Sequence, residues 1–139
     1  MFLDNSFGKT VDVLHRTMDV SLLRRDIIAD NIANADTPNF KRSTLNFEAS
    51  LKRALESEDY EVIPEAKLTH EKHIPFHRPI DYRTVEPRRV LDYLSTSDNN
   101  GNNVDIEQEM MHALHNQLSY DLMTRAVTSE FTRVNLVLR

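Results

Sequence analysis

The chain has no cysteine among its 139 residues. Disulfides, thiolate metal sites and cysteine nucleophiles are thereby excluded together. The same absence suits a cytoplasmic protein, and equally one that must pass into an oxidising compartment without mispairing. With only 2 glycines, a fold built on many tight turns is disfavoured. Tryptophan is missing and aromatic residues make up 7% of the chain, which leaves little apolar surface for a thick multilayer core. No basic block exists either. The formal charge of −5 is spread along the chain, so nucleic acid is not expected as a partner. No run approaches the roughly 20 apolar residues of a membrane span, and the chain is not expected to cross a bilayer. The opening MFLDNSFGKT has neither a basic n-region nor an apolar core, so no cleavable secretory signal is expected.

What the chain does have is helical periodicity at both ends. Phe7, Val11, Leu14, Met18, Leu22, Ile28 and Ile32 recur at helix spacing, with no glycine or proline after Gly8. They predict a helix over residues 6–36, with Ser6 as N-cap and Pro38 as the stop. A second helix is predicted within residues 104–139. There Ile106, Met110, Ala113, Gln117, Tyr120, Val127, Phe131, Val134 and Leu138 form a near-heptad seam, flanked by Met111, Leu114, Leu118 and Leu122. The cluster DNNGNNVD ahead of it reads as a turn, and Asp105 with Gln108 has capping-box spacing. Asp105, Glu107 and Glu109 read as helix-start charges at the positive end of the dipole. At 1.5 Å per residue the two helices would be about 45 and 50 Å long.

Residues 37–103 between them read as a turn, a short helix from Phe47 to Leu55, and an irregular remainder. That remainder holds four of the 5 prolines, and its short apolar runs YEVI and RVLDYL suggest extended pieces. The expected fold class is all-α dominated, a single domain over 1–139. Its two long amphipathic helices pair as a coiled-coil-like hairpin around an irregular middle. Each apolar stripe is wider than one neighbour requires, which points to contacts with other chains. The candidate assembly seam is Val11, Leu14, Met18, Ile28 and Ile32 on the first helix. On the second it is Ile106, Met110, Leu114, Leu118, Val127, Phe131, Val134 and Leu138.

Chemistry-bearing patterns are sparse. His70, His73 and His77, with His112 and His115 as additions, are the best metal candidates. Yet THEKHIPFHRP is proline-broken and lacks a carboxylate beyond Glu71, so these side chains read as solvated loop histidines. No glycine-rich phosphate loop, Gly-x-Ser-x-Gly or His-Glu-x-x-His motif occurs. The chain reads as non-enzymatic, with no cofactor and no metal.

One stretch is more specific than a helix end requires. In DNIANADTPNFKR, residues 30–42, Asn31 and Asn34 lie three apart on one helical face. Asn39 follows Pro38 where a tight turn calls for positive φ, and Phe40 offers an apolar anchor beside Lys41 and Arg42. The asparagines are expected to satisfy backbone groups at a crowded helix end, with Asn34→Leu the most telling change.

The longer stretch LLRRDIIADNIANADTPNFKR resembles the N-terminal signature of the bacterial flagellar axial proteins. Their rod, hook and hook-associated members share a pattern like NNIANxxTxGFK. Asn31, Ile32, Ala33, Asn34, Thr37, Phe40 and Lys41 fit it, and Asn39 stands where glycine is usual. The small size and the ending GNNVDIEQEMMHALHNQLSYDLMTRAVTSEFTRVNLVLR look like the short proximal-rod members. The resemblance implies a structural subunit of the proximal rod of the flagellar basal body, assembling through its terminal helices into a torque-transmitting shaft. Implied partners are further copies of the chain, other flagellar rod proteins, the basal-body ring and the type III export gate. The implied location is the periplasmic rod, reached by export without a cleaved signal peptide. From the residues alone a second reading stays open: a cytoplasmic helical adaptor or secretion chaperone, binding one partner through the same faces.

Overall fold

The computed structural model describes residues 5–58, 67–74, 79–95 and 101–138. Asn5 opens the first helix, its side chain accepting the Gly8 N–H at 2.8 Å. From there α1 (Ser6–Ala33) runs 28 residues without a breaker. The N-cap is thus Asn5 and not Ser6, which is already helical; an asparagine oxygen reaches the third helical N–H as well as a serine would. The helix closes three residues before Asp36. Asn34 donates its N–H back to Asp30 and Asn31, and Ala35, Thr37 and Phe40 then bond three residues back. That tightened turn delivers the chain to Pro38.

At the other terminus Asp105 caps α3 (Ile106–Val137), accepting the N–H groups of Glu107 and Gln108. This helix runs 32 residues, and by rise per residue the pair are rods of about 42 and 48 Å. They pack against each other, and the fold is helix-dominated. The less exposed positions of α3 include Glu109, Ala113, Asn116, Tyr120, Met123, Val127, Glu130 and Val134, which follow a 4–3 repeat, with Ser119 and Ala126 beside it. Opposite them, α1 buries Val20, Ser21, Ile27, Ile28 and Asn31, and half-buries Val11, Leu14, Met18 and Ile32. At the far end of the pair the rings of Phe7 and Phe131 meet edge to face, centroids 5.9 Å apart.

The chain divides into two compact units. The helical pair belongs to the first, residues 1–45 with 89–139. Its loop edge carries a two-stranded sheet, β1 (Ser43–Asn46) with β2 (Arg88–Leu91). β2 overlaps the start of RVLDYL, beginning one residue before it, and YEVI falls outside the described residues. Strands of four residues are too short to show a period in sequence.

The second unit, Asn46–Arg88, is built on α2 (Glu48–Glu58), which continues past Leu55 because nothing there breaks it. Phe47, Leu51, Ala54 and Tyr82 are its buried apolar side chains. A 3₁₀ turn, Tyr82–Thr84, carries the tyrosine inward. The buried Ser57 hydroxyl accepts the Ile80 N–H at 2.8 Å and donates to Ala54 at 2.6 Å. One serine thereby ties the loop to the helix.

Candidate functional site

The centre of the helical pair is polar. Ser21 and Asn116, both buried, face each other across it. The Asn116 Oδ1 accepts the Ser21 hydroxyl at 2.8 Å, and its Nδ2 donates to the Ser21 carbonyl at 2.9 Å. An asparagine that must answer both groups of one serine tolerates a single register, whereas leucines slide past one another.

The second polar contact is larger and lies where α1 ends and α3 begins. Asn31 is fully buried. Its Oδ1 accepts the Ser43 N–H at 3.0 Å, and its Nδ2 donates to the Ser43 carbonyl at 2.8 Å. The side-chain amide thus pairs with both backbone groups of one residue of β1, as a neighbouring strand would. The same Nδ2 donates to Glu109 Oε2 at 3.1 Å. The other oxygen of Glu109 accepts a short charge-assisted bond from Arg42 Nε. Glu109 is only 1% exposed, so it is not the solvated helix-start charge that its place in the first turn suggests. It is one half of a buried ion pair, stabilised by the amide that Asn31 adds.

Two further asparagines close the joint from the α3 side. Asn102, fully buried, spreads its Nδ2 over the carbonyls of Asn34, Ala35 and Thr37, at 3.0, 2.7 and 2.9 Å. One side chain from 65 to 68 residues away in sequence thereby holds the C-cap carbonyl of α1 and two carbonyls of the turn that follows it. Asn102 Oδ1 accepts the Val104 N–H at 2.7 Å, which orients the amide. Asn103 accepts the Arg42 N–H at 2.6 Å and donates to the Asp92 carbonyl at 2.7 Å. Lys41 Nζ donates to the Gly101 carbonyl at 2.8 Å. The Asp92 carboxylate is held below its usual range, first by the Ser95 hydroxyl and then by the Leu94 and Ser95 N–H groups. A depressed carboxylate keeps this turn intact at neutral pH and releases it only as pH falls through the lowered value.

The asparagine that matters most is therefore not Asn34. Its side chain bonds back to Asp30 within the helix, at 2.8 Å, and remains partly exposed. The pattern named the correct face, but the helix turns its Asn31 end toward β1 and α3. In sequence, Asn102, Asn103 and Glu109 show only the features of turn and helix-start residues. The signal available for them was two adjacent asparagines after a glycine that by itself suffices for a turn.

Asn39 takes φ 60°, the conformation expected of it. Gly101 also has positive φ, 81°, and a Cβ there would lie 2.7 Å from Asn39 Oδ1. The two turns thus interlock, and glycine leaves room for asparagine. Asn39→Gly should cost less than about 0.5 kcal/mol, while Asn39→Val should cost about 1–2 kcal/mol, because a β-branched residue resists the left-handed region. Urea denaturation followed by circular dichroism measures both; equal midpoints would remove the turn's conformational demand.

Among the described residues no three His, Cys, Asp or Glu side chains converge as a metal site. The rings of His70 and His73 lie 5.8 Å apart, and His77 is outside the described residues. His112 and His115 are exposed on α3. No described helix is long and apolar enough to cross a membrane. The joint holds no nucleophile beside a base. Its hydrogen bonds can fix geometry, and that is its chemistry.

The rest of the candidate seam divides between two sides of α3. Val127 and Val134 are partly covered, whereas Ile106, Met110, Leu114, Leu118, Phe131 and Leu138 are exposed. In the motif Ile32 is half-buried, as are Phe40 and Lys41, while Ala33, Thr37 and Pro38 are exposed.

A family model described as flagella basal body rod protein matches residues 21–41, the stretch that runs from Ser21 through Asn31 to the turn. Flagellar basal body rod protein FlgB of Borreliella burgdorferi is 45% identical over 135 residues, covering 97% of this chain and 99% of the relative. The same protein of Borrelia hermsii is 44% identical with the same coverage. That of Bacillus subtilis is 28% identical over 132 residues, covering 95% of each.

Proposed function

Because the chain belongs to the flagellar basal body rod proteins, a structural and not an enzymatic family, we propose that it is a proximal-rod subunit. Its terminal helices assemble with further copies and with other rod proteins into the torque-transmitting shaft. In this reading it is exported without a cleaved signal, meets the export gate and basal-body ring at the base, and lies in the periplasmic rod.

One observation carries the reading. Met110, Leu114, Leu118 and Leu122 form a ridge at i, i+4 spacing, and all four are 55–66% exposed. The positions that α3 turns toward α1 at this level include Glu109 and Asn116 instead. A 4–3 seam that places polar groups inward and leucines outward suits a helix with more neighbours than one. Buried polar contacts set register within the subunit, and the apolar ridge is left for association.

Removing residues 130–139 tests the shared role of α3. Phe131, Val134 and Leu138 go with it, and burial of three such side chains is worth several kcal/mol. Incorporation into basal bodies should be abolished while synthesis and export persist. Motile cells with a complete rod built from the shortened chain would remove α3 from the mechanism. A density map of the basal body, with this chain at the membrane-proximal end, is the direct check of position.

A further inference from the structure

With Glu109 and Asn116 turned toward α1, the opposite face of α3 is apolar over a short, bounded stretch. Met110, Met111, Leu114, Leu118 and Leu122 lie on it, each more than half exposed. At 3.6 residues per turn, Glu107 and Arg125 fall on the midline of that stripe, one at each end, about five turns or 27 Å apart. Both are exposed, and neither the carboxylate nor the guanidinium has a partner among the described residues. Past Arg125 the stripe continues as Thr128, Ser129 and Thr132, and before Glu107 the helix begins at Ile106. Asp121, at the rim, accepts a hydrogen bond from Gln117 at 3.2 Å.

This pattern is complementary to itself when reversed. An antiparallel second α3, related by a two-fold axis level with Asn116, sets Leu114 beside the partner's Leu118 and Met110 level with the partner's Leu122. At both ends Glu107 then meets the partner's Arg125, so each free charge gains an opposite one. A parallel pair in register sets Glu107 against Glu107 and Arg125 against Arg125, which repel. A parallel pair staggered enough to match the charges slides about five turns, and that uncovers the apolar stretch on both copies. The charges accept one orientation.

We propose that a second copy of this chain covers this face, as a closed antiparallel pair through α3. The contact is isologous, the same surface on both copies, and a closed two-fold pair does not propagate. The proposal goes beyond the rod reading and does not depend on it. The pair is a state of the unassembled chain: it shields the apolar ridge and must separate before that ridge serves in a shaft.

Sedimentation equilibrium of the purified full chain at low salt should show monomer and dimer, with a dissociation constant of roughly 1–100 µM for an interface of this small size. Leu118→Asp, at an exposed position, should leave monomer alone with an unchanged circular dichroism spectrum. Glu107→Arg and Arg125→Glu, made singly, each put like charges at both ends and should raise the dissociation constant roughly threefold to tenfold. Made together, they restore the pairs and should return it to the wild-type value. The absence of native cysteine lets Glu107→Cys with Arg125→Cys read the orientation. Oxidation of that double variant should give one dimer closed by two bridges between positions 107 and 125. Neither single cysteine variant should cross-link, because each thiol lies about 27 Å from its mate. A wild-type chain that stays monomeric throughout this range, or a ladder of larger oligomers, would overturn the proposal. So would a bridge between two copies of position 107, or a double charge variant no tighter than the single ones.

Discussion

Replacing Asn31 with leucine should open the joint between the terminal helices, at a cost of about 3–6 kcal/mol. The side chain is fully buried and answers three groups: the N–H and carbonyl of Ser43 and one oxygen of Glu109. Leucine has a similar size and matches none of them. Each buried group left without a partner costs about 1–3 kcal/mol, and the whole fold is worth only about 5–15 kcal/mol. Asn34→Leu, by contrast, removes a local bond to Asp30 from a partly exposed position and should cost about 1 kcal/mol or less. Urea denaturation of both variants gives the comparison. If Asn34→Leu proves the worse of the two, the assignment of the joint to Asn31 is wrong.

Arg42→Met should be nearly as damaging for a different reason. The change leaves the Glu109 carboxylate buried, with Asn31 as its remaining side-chain partner. Breaking a buried pair from one side costs about 3–5 kcal/mol, because the charge that stays behind has lost its solvent as well as its counterion. The backbone N–H of residue 42 still reaches Asn103, so the loop itself need not move. Adding Glu109→Leu to Arg42→Met should recover much of the loss, since a well-packed apolar pair can replace a buried ionic one. A double-mutant cycle in urea reads the coupling directly. Additive single effects would mean that the two side chains act independently. A loss that shrinks strongly with added salt would mean the pair is solvated, because buried pairs are screened far less.

These two expectations differ in how much of them was legible beforehand. The face carrying Asn31 was apparent from its position in DNIANADTPNFKR, and the positive φ at Asn39 followed from its place after Pro38. Both depend on neighbours within a turn or two. Arg42 was visible only as a cation near the exit of the motif, and Glu109 looked like a charge suited to the helix dipole. Their pairing spans 67 residues, and no local rule selects one carboxylate among several in the first turn of α3. The anchor of the turn after α1 is hidden in the same way. Pro38 announces that a helix must stop, but the side chain that holds the following turn, Asn102, enters from the far side of the middle segment.

By itself the sequence determined the two rods, the cap at Asp105, the turn at Asn39 and the family signature, while it placed the first cap at Ser6, one residue past Asn5. Each of these is set by backbone sterics, hydrogen bonds between near neighbours and the 3.6-residue period. Only the tertiary structure decided which stripe of α3 faces α1. Apolar periodicity favoured the stripe through Met110, Leu114 and Leu118, yet the pair closes on Glu109, Ala113 and Asn116. Hydrophobic burial is non-directional and accepts many rotations of a helix. The buried polar groups accept one, because Asn31, Asn116 and Glu109 must each find named partners at hydrogen-bond distance, and an unmatched group costs more than a displaced leucine gains. That requirement turned the leucines outward, where Met110, Leu114, Leu118 and Leu122 stay exposed.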